Sequence, residues 1–213
     1  MSTFVEPLIL YVVLFFRISV GPSPSNEAVE FSVTVELARI FLYNIPSLAL
    51  VWYLLLKEKS LQQWGVTLPG RKDLVPAAWA LPALILIGLT ISFISRFFTE
   101  IPFGSQVLPP YNVISWGILI LSCVSTAYLE ESFFRFYLLS KRKELGLGPH
   151  RAVLVSALLF SVCHIYEGPL GFLNAALSGV LLAFIFLRFR SLHGIAFAHA
   201  LYNVLVYALG AAA

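Results

Sequence analysis

Residues 112–140 read NVISWGILILSCVSTAYLEESFFRFYLLS, and this stretch decides the fold. It is apolar over most of its length, and about 20 apolar residues in a helix suffice to cross the hydrocarbon core of a bilayer. Yet Glu130, Glu131 and Arg135 stand in its second half. A charged side chain at the centre of a membrane helix costs on the order of 2.5–3.5 kcal/mol on insertion scales. A helix that ends near Tyr128 and leaves these charges in water would avoid that cost. The continuation FFRFYLL argues against it, being apolar enough to stay in the membrane. A polar cavity inside a helix bundle is the better account. Glu131 and Arg135 are four residues apart, share a helix face and are expected to pair. Glu130 then points about 100° away, given 3.6 residues per turn, with no partner on its own helix.

The rest of the chain supplies the bundle. Its 213 residues are 59% hydrophobic and only 12% charged, with a mean hydropathy of +0.88. A soluble domain carries about 25% charged residues, so this chain lacks the polar surface to cover a globule. It is expected to be a single membrane domain over residues 1–213 that faces lipid. Seven apolar segments are marked off by polar or Gly/Pro-rich breaks, at about 4–20, 31–56, 76–98, 112–140, 151–165, 170–189 and 194–210. The runs are continuous and too long for the alternating ten-residue strands of a barrel. Helices are the remaining way to satisfy backbone groups in lipid. The fold expected is therefore all-α, a polytopic membrane helix bundle of about seven transmembrane helices. The fifth segment, RAVLVSALLFSVCHI, is short enough to suggest a tilted, partly buried helix.

Ten of the fourteen Lys and Arg residues fall in or beside three alternating breaks. Lys57, Lys59, Arg71 and Lys72 lie between segments two and three. Lys141, Arg142, Lys143 and Arg151 lie between four and five, and Arg188 and Arg190 between six and seven. The other breaks carry Glu27, Glu30, Glu100 and Glu167 and almost no basic residue. The positive-inside rule then places the N-terminus in the cytoplasm and the C-terminus outside a cell membrane. The N-terminal MSTFVEPLIL lacks the basic region and small-residue cleavage site of a secretory signal. The net charge of +3 makes no case for nucleic acid. Cys123 and Cys163 lie in apolar runs, with no spacing of a disulfide framework or zinc knuckle.

Two further polar groups interrupt apolar segments. His164 closes Phe160-Ser-Val-Cys-His164, and His199 opens His199-Ala-Leu-Tyr-Asn203, where His199 and Asn203 share a helix face. His150 and His193 stand at basic segment ends and read as interfacial. A carboxylate and an imidazole together hold and deprotonate a water. A second imidazole with an amide donates hydrogen bonds to a developing oxyanion. Glu130 with His164, and His199 with Asn203, supply these halves, pointing to amide hydrolysis without a covalent intermediate. An aspartyl mechanism needs two aspartates, and the chain has only Asp73. No His-Glu-x-x-His and no Gly-x-Ser-x-Gly occurs. A thiol mechanism through Cys163 beside His164, or through Cys123, stays open. So does a divalent metal such as zinc on Glu130, His164 and His199; the metal-free arrangement, with no cofactor, is preferred. A non-catalytic immunity or scaffold protein would use the same cavity to bind a peptide or partner. A small proton-coupled transporter is a further reading, because buried carboxylates and histidines also mark ion paths.

At these residues the chain resembles the CAAX protease and bacteriocin-processing (CPBP, or Abi) family of intramembrane endopeptidases. That family is marked by Glu-Glu-x-x-x-Arg, Phe-x-x-x-His and His-x-x-x-Asn or Asp on successive membrane helices. Here these are Glu130-Glu131-Ser-Phe-Phe-Arg135, Phe160 to His164 and His199 to Asn203, in order. The resemblance covers about residues 112–210; residues 1–111 add three spans known only by hydropathy. It implies that Glu130 and His164 activate water, that His199 and Asn203 stabilise the oxyanion, and that Glu131, Arg135 and Phe160 support the site. Family members have been described as metalloproteases and as glutamate-type proteases, so it leaves the metal question open. The substrate it implies is a membrane-associated protein or peptide, processed in a CAAX-type or a sortase-like, C-terminal-anchor manner.

Overall fold

The computed structural model describes residues 5–15, 30–97, 108 and 110–210. The break GPSPSNE, most of GSQVLPPYN, the ends of the first and third apolar segments, and Glu27 and Glu100 lie outside the described residues. Among the described residues all regular structure is helical. The helices follow the seven apolar segments: α1 Val5–Phe15, α2 Val33–Glu58, α3 Arg71–Ser95, α4 Val113–Lys143, α5 Pro149–Val162, α6 Gly168–Phe189 and α7 Leu192–Gly210. Helices α2, α3, α4, α6 and α7 are long and apolar enough to cross a membrane, whereas α1 and α5 are shorter apolar helices. The protein is an all-α membrane helix bundle.

Local chemistry sets the helix ends. Ser32 and Asn112 hold extended backbone and accept hydrogen bonds from Val35 and Ser115, starting α2 and α4. Pro149 and Pro169 open α5 and α6, where a missing N–H costs nothing. At the end of α6, Arg190 takes the left-handed conformation (φ 54°) and its N–H closes on the Phe186 carbonyl.

Two helices depart from α geometry in their interiors. Residues Arg39–Asn44 of α2 are π-helical, with the Ile45 N–H bonded to the Ile40 carbonyl five residues back. Pro46 follows directly; it cannot donate to Leu42, and its ring would strike that carbonyl in a regular helix. A widened turn relieves both conflicts. Residues Glu131–Tyr137 of α4 are also π-helical, with the Leu138 N–H on the Phe133 carbonyl. Helix α4 thus does not end at Tyr128. Its charged segment continues inside the bundle with every residue from Glu131 to Tyr137 buried.

The packing inverts that of a soluble globule. Trp79, Leu86, Phe93, Ile114 and Leu158 point outward, while Glu36, Asn44, Glu131, Arg135 and His199 are buried. This is the arrangement lipid as solvent requires. Helix α4 runs through the middle, packed on α2 and α7, and α6 lies against α5 and α3. The α5–α6 approach is closest at Gly179, where an added Cβ would stand 3.1 Å from Ala157 Cα and 3.3 Å from the Phe160 ring. That contact sets Phe160 against the bundle core.

The basic breaks gather at one end of the bundle. Lys141, at the end of α4, pairs with Glu58 at the end of α2 and lies 3.8 Å from Glu6 at the start of α1. Asp73, beginning α3, accepts from the Ser191 hydroxyl at the start of α7 (2.5 Å). Burial, and then the charge of Arg142 at the end of α4, hold the Arg190 guanidinium just past α6 below its ordinary value.

Candidate active site

The site is assembled where α4, α5 and α7 meet. Its centre is the imidazole of His199, 7% exposed. Nδ1 of His199 lies 2.8 Å from Glu131 Oε1, and Nε2 lies 3.7 Å from Glu130 Oε2. A carboxylate only accepts, so Nδ1 carries the proton and donates it to Glu131. Glu131 Oε1 also stands 3.2 Å from Arg135 Nη1, and Glu131 and Arg135 are both fully buried. One carboxylate therefore faces both the His199 imidazole and the Arg135 guanidinium. The second carboxylate, Glu130, approaches the far side of the same ring, and its Oε2 is buried without a hydrogen bond.

Glu131 keeps the Arg135 pair expected from the spacing, and it meets His199 as well. The π-helical turn that begins at Glu131 widens the spacing, and adjacent carboxylates both reach His199. A π segment inside a membrane helix is itself a common feature of functional sites.

Phe160 is the packing hub. Its ring centre lies 4.6 Å from that of His164 and 6.0 Å from that of His199. The Arg135 guanidinium sits over its face at 4.3 Å. Stacking of this kind contributes about 0.5–2 kcal/mol, more where water is absent. His164 directs Nδ1 at the Phe160 carbonyl (2.9 Å). The carbonyl has no proton to give, so Nδ1 is the protonated nitrogen and Nε2 keeps its lone pair. Among the described residues Glu130 and His164 share no direct hydrogen bond or ion pair; Phe160 neighbours both histidines, and His199 neighbours Glu130. Asn203 lies on α7 one turn beyond His199, half-buried.

Other residues singled out in the sequence are occupied elsewhere. Cys163 turns its sulfur to the Leu159 carbonyl (3.3 Å) and to Tyr11 rather than to His164. Cys123 is buried in an apolar cluster with Phe31 and Leu119. His193 is more than interfacial: Nδ1 meets the Tyr128 hydroxyl and Nε2 the Thr67 carbonyl, each at 2.9 Å, which ties α7 to α4 and to the α2–α3 connection. Among the described residues no group of three His, Cys, Asp or Glu side chains could hold a metal ion, so Glu130, His164 and His199 do not form such a set as placed.

Sequence reading passed over a second buried polar group, on α2. Glu36 accepts from Ser122 of α4 (2.5 Å) and pairs with Arg39 (3.2 Å), and Asn44 bonds Ser125 and Thr126. The signal was available: Glu36, Arg39 and Asn44 interrupt the second apolar segment as the glutamates interrupt the fourth.

Residues 112–205 match the family model described as type II CAAX prenyl endopeptidase Rce1-like. No curated protein and no solved structure matches the chain. The matched span carries Glu130, Glu131, Arg135, Phe160, His164, His199 and Asn203 within α4 to α7. Over α4 to α7, and through these residues, the chain is similar to the type II CAAX prenyl endopeptidase Rce1-like family.

Proposed function

We propose that this protein is a glutamate-type intramembrane endopeptidase that hydrolyses a peptide bond of a membrane-associated substrate with a water activated by Glu130 and His164. One observation carries the reading: two adjacent carboxylates converge on opposite nitrogens of His199 inside an apolar bundle, and one of them, Glu130, keeps a buried oxygen free of hydrogen bonds.

The roles follow from the donors and acceptors. In this reading a water at Glu130 Oε2 is shared with His164, whose Nε2 keeps its lone pair. Glu130 takes a proton as the water oxygen adds to the substrate carbonyl carbon. The oxyanion is then stabilised by the His199 imidazole, which Glu131 orients, and by the side-chain amide of Asn203. Collapse breaks the C–N bond, and the proton held by Glu130 passes to the leaving amine. Arg135 holds Glu131 in place without touching substrate. No step requires a metal ion. The family name points to a prenylated C-terminal Cys-a-a-X segment as substrate, delivered from the bilayer; sortase-like removal of a C-terminal anchor is the other form of the same chemistry. The positive charge gathered at one bundle end orients the chain with its N-terminus cytoplasmic.

The test is cleavage of an internally quenched, prenylated Cys-a-a-X peptide and of an anchored reporter protein in proteoliposomes. Glu130→Gln and His164→Ala are expected to lose at least about 100-fold in rate while staying inserted and folded. Wild-type rates in both variants would sink the mechanism. Tight binding of intact peptide, unchanged by Glu130→Gln, would replace it with a binding function.

A further inference from the structure

We infer that Tyr166, in the short turn between α5 and α6, is a positioning residue of the site: its ring holds the His164 imidazole in the one orientation that offers Nε2 to the reacting water. This rests on the water mechanism proposed above.

The backbone around His164 is closely determined. His164 stands just past the end of α5, at φ −105° and ψ 11°, and its N–H bonds back to the Ser161 carbonyl (3.0 Å). Ile165–Glu167 form a single 3₁₀ turn, with the Glu167 N–H on the His164 carbonyl (3.0 Å). Gly168 then takes φ 82° and ψ 179°, a conformation that side chains other than glycine avoid, and Pro169 starts α6. The Glu167 side chain lies across the first turn of α6, so close that a Cβ added at Gly171 would stand 2.3 Å from Glu167 Cβ. Two glycines thus let the chain reverse tightly, and the residue between His164 and Glu167 that carries a ring is Tyr166.

That turn lays the Tyr166 ring nearly parallel to His164. The ring centres are 6.3 Å apart and the planes differ by 21°. Phe160, one helical turn before His164, is the second aromatic neighbour, at 4.6 Å and 52°. Its carbonyl meets His164 Nδ1 at 2.9 Å. A hydrogen bond at Nδ1 secures one edge of the imidazole and leaves the ring free to swing about that edge. Rings that attract at such separations oppose the swing. Phe160 is fixed in the core, and Tyr166 supplies the contact from beyond the helix end.

Two observations separate this role from plain packing. The Tyr166 hydroxyl lies within electrostatic reach of Glu130 as well as of Glu167, on the side of the bundle where the site is. Tyr166 is also 48% exposed, so its ring does not fill the core, and removing it opens no enclosed cavity. The competing account is an interfacial tyrosine, since Tyr collects where a membrane meets water. Such an anchor has no need of a parallel ring at His164.

The experiment compares Tyr166→Ala and Tyr166→Phe in proteoliposomes with the same prenylated peptide. Tyr166→Ala is expected to lower kcat about 10-fold, with KM and the unfolding midpoint little changed, because a small misplacement of a reacting group is costly. Tyr166→Phe keeps the ring and is expected to recover nearly all of that loss. Full kcat in Tyr166→Ala overturns the inference and leaves an interfacial anchor. So does an equal loss in Tyr166→Phe, which would assign the effect to the hydroxyl, a rise in KM alone, which would make Tyr166 a substrate contact, or a loss that follows a fall in the unfolding midpoint. Nitrogen spectra of protein carrying isotope-labelled histidine give a readout independent of substrate, the His164 signal being assigned by its absence in His164→Ala. One sharp Nδ1–H tautomer is expected in wild type and Tyr166→Phe, and a mixed or broadened signal in Tyr166→Ala; an unchanged signal in Tyr166→Ala overturns the assignment. Loss of activity in Glu130→Gln beside full activity in Tyr166→Ala retains the mechanism and removes only this residue from it, whereas full activity in Glu130→Gln removes the mechanism and with it the role of Tyr166.

Discussion

Removing Glu131 is expected to destabilise the protein more than removing Glu131 and Arg135 together. Arg135 is fully buried, and its nearest carboxylate is Glu131 at 3.2 Å; its other close neighbours are the Phe160 and Phe134 rings at 4.3 and 5.8 Å. Glu131→Met leaves the guanidinium uncompensated in the bundle, and breaking a buried pair from one side costs about 3–5 kcal/mol. In Arg135→Met the carboxylate keeps the His199 Nδ1–H at 2.8 Å. The loss there is a charge-assisted hydrogen bond of about 1.5–3 kcal/mol and the stacking on Phe160, about 0.5–2 kcal/mol. In the double variant no buried charge is orphaned, and apolar replacement of a buried pair is often neutral. What remains is the unsatisfied His199 N–H, about 1–3 kcal/mol. The double variant should therefore be more stable than Glu131→Met alone, with a coupling of several kcal/mol in the mutant cycle. Unfolding by sodium dodecyl sulfate in mixed micelles, followed by tryptophan fluorescence, measures each corner. Turnover should not follow stability: with Glu131 gone, nothing fixes the His199 tautomer. A lost orienting carboxylate costs up to about 10⁴-fold in the serine-protease triad, and both Glu131 variants should fall at least 100-fold, by the same logic of a lost outer partner. Additive stabilities, or recovery of turnover in the double variant, would refute the reasoning.

Three other outcomes are expected. The Glu130→Gln and His164→Ala variants should lose proteolysis while keeping the wild-type unfolding midpoint within about 1 kcal/mol, since neither side chain carries a buried ion pair of Arg135. Prolonged treatment with a strong zinc chelator, with cleavage of the prenylated peptide as the readout, should leave the rate unchanged; a loss restored by added zinc would overturn the metal-free mechanism. Single cysteines at Lys59 and at Lys143 in a cysteine-free background should react with an impermeant maleimide only from the cytoplasmic side, and reaction from outside would reverse the proposed orientation.

Composition and patterning alone determined the architecture. Runs of about 20 apolar residues leave the backbone only helices, and the alternating basic breaks count them, because both follow from the solvent rather than from contacts. The ordered motifs on α4, α5 and α7 were legible for a related reason: a charge or imidazole in lipid is costly enough to require a purpose. Which partner each residue takes was not legible. Helix arithmetic assigned Glu131 to Arg135, which the structure keeps, and left Glu130 for His164; in the structure both carboxylates lie against His199. A local change of hydrogen-bond register rotates every later side chain, and nothing in the spacing Glu-Glu-x-x-x-Arg announces it. Tertiary packing alone set Phe160 beside both histidines, and it brought Asn44 of α2, far away in sequence, onto Ser125 and Thr126 of α4. Sequence distance carries no information about such meetings; the helices decide them by how their small and polar faces fit together in the absence of water.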